Sequence, residues 1–205
     1  MKPLLNCLFF VLLAGGPWGC TSPGGIPLTR DKIKFKQFRV DGHRIHINNY
    51  IDRETPDLLR KILQANPQVS TVLMHNVPGS LDDSATLEAG NLVRRYRLAT
   101  HLPAGAAIVS GAVDLFLAGV KRTGVIGAKL GVHSWRNDDG IQGGNLPRGH
   151  KHHQPFLDYF REIHVAEEFY WFTLEAAPFE RIHWMNRREL ERYRVFTQPM
   201  IEAAK

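Results

Sequence analysis

The chain has 205 residues and a formal net charge of +6, with 43% of its residues hydrophobic and 22% charged. That length holds one domain of ordinary size, and the composition excludes disordered, collagenous and coiled-coil chains. Only Leu4 to Leu13 approaches an unbroken apolar run, short of the ~20 residues that cross a bilayer, so a multi-span membrane protein is excluded too.

Lys2 followed by Leu4–Leu13 and the small residues Ala14-Gly15-Gly16 has the order of a secretory signal. The expected organisation is a signal peptide over 1–20, a linker over 21–35 and one folded domain over 36–205. Export, to a periplasmic location, follows from that reading. Both cysteines, Cys7 and Cys20, fall in the signal segment, so the domain has no disulfide, no thiolate zinc site and no cysteine nucleophile. Cys20 follows Gly19 and precedes Thr21-Ser22-Pro23-Gly24-Gly25, and it resembles the lipidated cysteine of bacterial lipoproteins. Pro17 and Trp18 depart from that motif. Two outcomes stay open: a lipid anchor to the membrane, or ordinary cleavage and release. The positive charge collects at Arg30–Lys36 and Arg181–Arg194, mixed with acids and apolar residues. With no recognition helix or aromatic basic face, nucleic acid is not an expected partner.

From Lys34 to Ile47 apolar and polar residues alternate around Asp41-Gly42, which predicts a β-hairpin. Thr55-Pro56-Asp57 predicts a helix start with Thr55 as cap, and Leu58, Leu59, Ile62 and Leu63 form its buried stripe. Val69–Met74 reads as a buried strand, Asn76–Ser80 as a turn, and Asp82–Tyr96 as a helix. Leu98–Leu102 and Ala106–Val109 read as short strands, Ser110-Gly111 opens an apolar helix that closes at Gly119, and Ala128–His133 is another strand. Residues 134–154 form a long Gly/Asn/His/Asp-rich loop, followed by helices at Phe156–Ile163, Phe169–Leu174 and Asn186–Tyr193, the last with Asn186 and Glu189 spaced as a capping box. The alternation predicts an α/β fold with a mainly parallel β-sheet and flanking helices, whose functional residues gather at strand C-terminal ends.

Ser110 stands at such an end. A hydroxyl there can act as a nucleophile while the N–H of the next residue faces the charge that develops in acyl transfer. His133, at another strand end, is placed to activate it, and Pro78-Gly79-Ser80 offers further backbone donors. Spacing alone leaves a bland alternative open, in which Ser110 only caps its helix.

The succession Val72–Ser80, then Ile108-Val109-Ser110-Gly111 running into Leu115–Gly119, then Leu130-Gly131-Val132-His133, resembles the Clp-protease/crotonase superfamily over roughly residues 36–200. The likeness is closest to exported bacterial members of the Clp-protease-like group. It implies Ser110 as nucleophile, His133 as general base, and the N–H groups of Gly79 and Gly111 as the oxyanion hole. Two departures stand out. The family's glycine pair is Gly79-Ser80 here, and Ile182 falls where the family carries the third, acidic residue. Glu180 is the nearest carboxylate to that place, with Asp158 and Glu175 as further candidates.

The chain is therefore expected to be an exported, peptidase-like serine hydrolase that cleaves an amide or ester and needs no cofactor and no metal. The alternative is a non-catalytic binding or scaffold protein that retains the fold. Asp114, four residues after Ser110, is read either as an acid with a raised pKa near the site or as a structural group held by backbone or by Lys121 or Arg122. His150, His152 and His153 are read as part of a lid loop, with metal binding the lesser alternative. The superfamily's members assemble into rings or trimers, so Phe169-Tyr170-Trp171-Phe172 is read first as core and second as a homo-oligomer contact.

Overall fold

In the computed structural model, which describes residues 37–203, the hairpin at Asp41-Gly42 forms as β1 (Phe38–Asp41) and β2 (Arg44–Ile47). Gly42 turns it with φ +56°, a left-handed conformation that glycine adopts without a Cβ penalty. Residues 1–36, with the expected signal and Cys20, lie outside the described part.

Helix α1 (Thr55–Ala65) has Pro56 in its first turn, where a missing N–H costs nothing. Its start differs from the expected Thr55 cap. Asp52 Oδ1 accepts from the Glu54 and Thr55 N–H groups, at 3.1 and 3.0 Å, and from the Thr55 hydroxyl at 2.9 Å. A carboxylate satisfies several first-turn donors at once, so it displaces the weaker hydroxyl cap.

The run after α1 forms β3 (Thr71–Met74) and, past His75, β4 (Asn76–Val77), which belong to different sheets. Helix α2 (Asp83–Arg95) follows, capped by Asp82, whose carboxylate accepts from Ala85 N–H. The pattern then recurs. β5 (Ala99–Leu102) joins the first sheet, β6 (Ala107–Val109) joins the second, and α3 (Gly111–Leu117) returns. β7 (Arg122–Gly124) and β8 (Lys129–Val132) divide between the two sheets in the same way. Strand order is β1-β2-β3-β5-β7 in the first sheet. In the second it is β4-β6-β8-β9, where β9 is His183–Trp184. Pairing is parallel except for β1 with β2 and β8 with β9.

The mainly parallel α/β architecture expected from the alternation is therefore present, with the parallel strands divided over two sheets. Helix α3 runs through the core, burying Ala112, Val113, Leu115, Phe116 and Leu117. Removing Phe116 from water alone contributes about 2–3 kcal/mol. At its C-terminal end the guanidinium of Arg122 donates to the carbonyls of Gly119, Val195 and Arg194 at 3.2, 2.8 and 3.0 Å.

Past β8, short 3₁₀ turns at Gly143–Asn145 and Lys151–His153 order the long loop; α4 (Gln154–Glu162) packs on α2 and on α5 (Glu167–Ala176), and α5 packs on β8. Phe169 and Tyr170 are buried, Trp171 lies under Arg148, and Phe172 stacks on Tyr193 with ring centres 4.6 Å apart. The aromatic run is core packing. Helix α6 (Arg187–Arg192) carries the expected capping box of Asn186 and Glu189.

Candidate active site

Strand order alone assembles the site. In the parallel pairs, Val77 lies opposite Ile108 and Val109 opposite Gly131. The middle strand, β6, leads into Ser110, β4 on one side leads to Gly79, and β8 on the other leads to His133. Neighbouring strands stand ~4.8 Å apart, so these three strand ends form one edge. A Cβ placed on Gly79 would lie 3.6 Å from that of Ser110.

Ser110 has φ 56° and ψ −131°, a backbone conformation that L side chains rarely adopt. Its N–H is held by the Gly131 carbonyl at 2.8 Å and its carbonyl accepts from Val113 N–H at 2.7 Å. Its hydroxyl makes no capping bond, which removes the reading of Ser110 as a plain helix cap. A strained serine at a strand-to-helix turn, its hydroxyl unused by the fold, is the geometry of a nucleophile elbow. The strain gives a test. Ser110→Gly is expected to raise stability by about 1 kcal/mol in urea denaturation after the entropy cost of glycine, while Ser110→Ala stays near wild type.

His133 Nδ1 lies 2.8 Å from the Ser134 carbonyl oxygen. A carbonyl only accepts, so Nδ1 carries the proton and Nε2 keeps its lone pair, the tautomer a general base requires. Phe179 packs edge-on against the ring at 5.4 Å. Ser110 and His133 line one small pocket with Gly111, Asp83, Asp114, Val132, Trp135, Phe156, Tyr170 and Thr173. They are not hydrogen-bonded to each other; such bonds commonly tighten only around substrate. Neither the Gly79 nor the Gly111 N–H donates to an acceptor among the described residues.

The structure does not bring Glu180 to His133. Its carboxylate accepts from Gln142 Nε2 at 3.1 Å and pairs with Arg136 at 3.4 Å. Asp158 pairs with Arg161 and Glu175 with Arg148, both on the surface. The group that orients the imidazole is the backbone carbonyl of its own neighbour.

Two carboxyls that the sequence could not place together do meet in the pocket. Asp83 opens α2 and Asp114 lies one turn into α3. Burial pushes the Asp114 carboxyl up to about 7, and the charge of Asp83 adds to the shift. Asp83 is exposed as a residue, but burial of its carboxyl against the pocket raises it; Asp82 raises it further and His133 pulls it down. Among the described residues no hydrogen bond or ion pair engages either carboxylate, and Arg122 is turned to backbone carbonyls instead.

Ser80 resolves the departure in the glycine pair. Its hydroxyl donates to the Asp82 carbonyl at 2.8 Å and accepts from the Thr86 hydroxyl at 2.6 Å, so it helps to hold the start of α2. The space for its Cβ comes from Gly111, where an added Cβ would lie 2.7 Å away. The three loop histidines serve packing. His150 accepts from His152 N–H, and His153 is buried with Nδ1 2.6 Å from the Tyr170 hydroxyl.

No protein-family model matches the sequence, and no curated protein matches it either. Solved structures do match. The 1510-N membrane-bound stomatin-specific protease, as a serine-to-alanine mutant, aligns with a TM-score of 0.54 at 12% identity over 78% of each chain. ClpP1 from Listeria monocytogenes aligns with a TM-score of 0.54 at 15% identity, over 80% of this chain and 94% of that one. The chain has a Clp-protease-like fold. The stomatin-specific protease has also been solved with a substrate peptide, at the same TM-score and 12% identity. Among the described residues of this Clp-protease-like chain, no helix is long and apolar enough to cross a membrane.

Proposed function

We propose that the chain is a peptidase-like serine hydrolase that attacks an amide or ester carbonyl with Ser110. The strained Ser110 turn carries this reading, because a plain helix start needs neither its φ of 56° nor an idle hydroxyl. His133 Nε2 takes the serine proton as the tetrahedral adduct forms and returns it to the leaving group. The Gly79 and Gly111 N–H groups receive the oxyanion. The Ser134 carbonyl does the orienting that a triad carboxylate does elsewhere. Being uncharged, it stabilises the imidazolium less, and a slower enzyme is the consequence. Export, with Cys20 either lipidated or removed, and assembly of several copies belong to the same proposal. They rest on the N-terminal sequence and on the resemblance.

The competing reading, a binding protein on the same scaffold, is favoured by one observation: among the described residues no carboxylate meets His133 Nδ1. Covalent labelling separates the two. A fluorophosphonate probe is expected to label the wild type and not Ser110→Ala, with both folded by circular dichroism. Equal labelling of the two removes Ser110 from the mechanism, and no labelling of folded wild type favours the scaffold.

A further inference from the structure

Beside Ser110 the pocket has an unbalanced charge. Among the described residues two acids from different helices line it, and no lysine or arginine does. Asp83 stands at the exposed rim. Asp114 sits deeper, where burial without a counter-charge holds its carboxyl up at about 7. The opposite wall is apolar: Trp135 stacks on Phe156 at 5.7 Å and 7°, and Phe156 stacks on Tyr170 at 5.4 Å and 15°. The Tyr170 hydroxyl is already engaged by the Trp135 indole N–H at 2.9 Å and by His153, so that wall offers the pocket no free cationic or donor group.

We infer that this pocket is a cation subsite, taking a primary ammonium of the substrate next to the bond that Ser110 attacks. The inference rests on the hydrolase reading for its role but not for its chemistry. An ammonium supplies the charge that both carboxylates lack, and against a low-dielectric aromatic wall the pairing is stronger than at an open surface. The hydrocarbon stem of a lysine-like side chain lies along Trp135 and Phe156 while its head reaches the acids. The cavity is about 30 Å³, room for a head group of water size. Among the described lining residues the other titratable groups are Tyr170, whose burial keeps its hydroxyl protonated, and His133, which in its neutral, Nδ1-protonated form does not oppose a cation.

The probe is n-butylammonium, with 1-butanol as its neutral counterpart, followed by the NMR signal of the Trp135 indole N–H. On wild type and on Ser110→Ala, n-butylammonium is expected to bind at least tenfold more tightly than 1-butanol. Asp114→Asn is expected to lower its affinity about tenfold, and Asp83→Asn, at the exposed rim where folding is not at stake, several-fold. Equal binding of the two probes, or an n-butylammonium affinity unchanged in both variants, overturns the subsite. Fluorophosphonate labelling run on the same samples keeps the two readings apart. Labelled Ser110 without cation preference sinks the subsite alone, whereas cation preference without labelling supports the subsite and sinks the hydrolase.

Discussion

At pH 8 the Asp114→Asn variant is expected to be more stable than the wild type, and the difference should shrink as the pH falls through 7 and vanish near pH 4. The sign follows from where the proton is held. Burial, with the nearby charge of Asp83, raises the Asp114 carboxyl from 3.8 to about 7. Below pH 4 the carboxyl is protonated in both folded and unfolded chains, and the shift has no effect. As the pH rises past 3.8 the unfolded chain releases its proton first, so stability declines until the folded carboxyl also ionises near 7, and above that the full penalty stands. A shift of about three units corresponds to roughly 4 kcal/mol at about 1.4 kcal/mol per unit. The asparagine amide and the protonated carboxyl are both neutral and similarly costly to bury, so most of that is the expected gain at pH 8. At about 2–4 °C per kcal/mol for a domain of this size, melting temperatures compared at pH 8 and pH 5 resolve it easily. A pH-independent difference, or a variant less stable at pH 8, would mean that the carboxylate has a counter-charge in the fold.

That prediction rests on a pair of residues no sequence pattern could join. Asp83 reads as an ordinary acidic first-turn residue of α2, and Asp114 as one polar position on an apolar helix. They become neighbours only because α2 and α3 pack side by side after returning from the same sheet. The Ser110, His133 and Gly79 ends were legible because each closes a β-branched or apolar run with a glycine or polar break, a local signal. What was not local stayed hidden. β7 (Arg122-Thr123-Gly124) has no apolar alternation, since its buried residues are a glycine and an arginine satisfied by carbonyls of other segments. β9 is two residues, made a strand by pairing with β8. β4 lies inside what reads as a turn, because Asn76 opens it and Pro78 follows it, and its pairing with β6 overrides those breakers. The division into two sheets was illegible for the same reason, since a strand that crosses from one to the other looks like one apolar run. Glu180 is the carboxylate nearest along the chain to the place of a family acid, but its side chain turns instead to Gln142 and Arg136.

The second large effect is expected at Gly111, through Ser80. A Cβ on Gly111 would lie 2.7 Å from the Ser80 Cβ and 3.2 Å from Thr86 Cγ2, so Gly111→Ala cannot be accommodated without moving the Gly79-Ser80 turn or the start of α2. Overpacking of this kind costs about 1–3 kcal/mol. The same displacement shifts the Gly79 N–H away from the place where an oxyanion would form, and loss of one such donor slows turnover by about 10²–10³. Alanine at 111 should therefore lower fluorophosphonate labelling at least tenfold, although its own N–H is kept and no reacting side chain is altered. The double variant Ser80→Gly/Gly111→Ala removes the closest collision and is expected to recover most of the labelling rate. Ser80→Gly alone loses only the hydroxyl contacts to Thr86 and Asp82 and should cost about 1 kcal/mol. Contacting residues that share one space give non-additive cycles, so the coupling between 80 and 111 should exceed about 1 kcal/mol in stability. Strict additivity would show that the two Cβ positions do not compete, and that the serine in the glycine turn is tolerated for some reason other than the space left by Gly111.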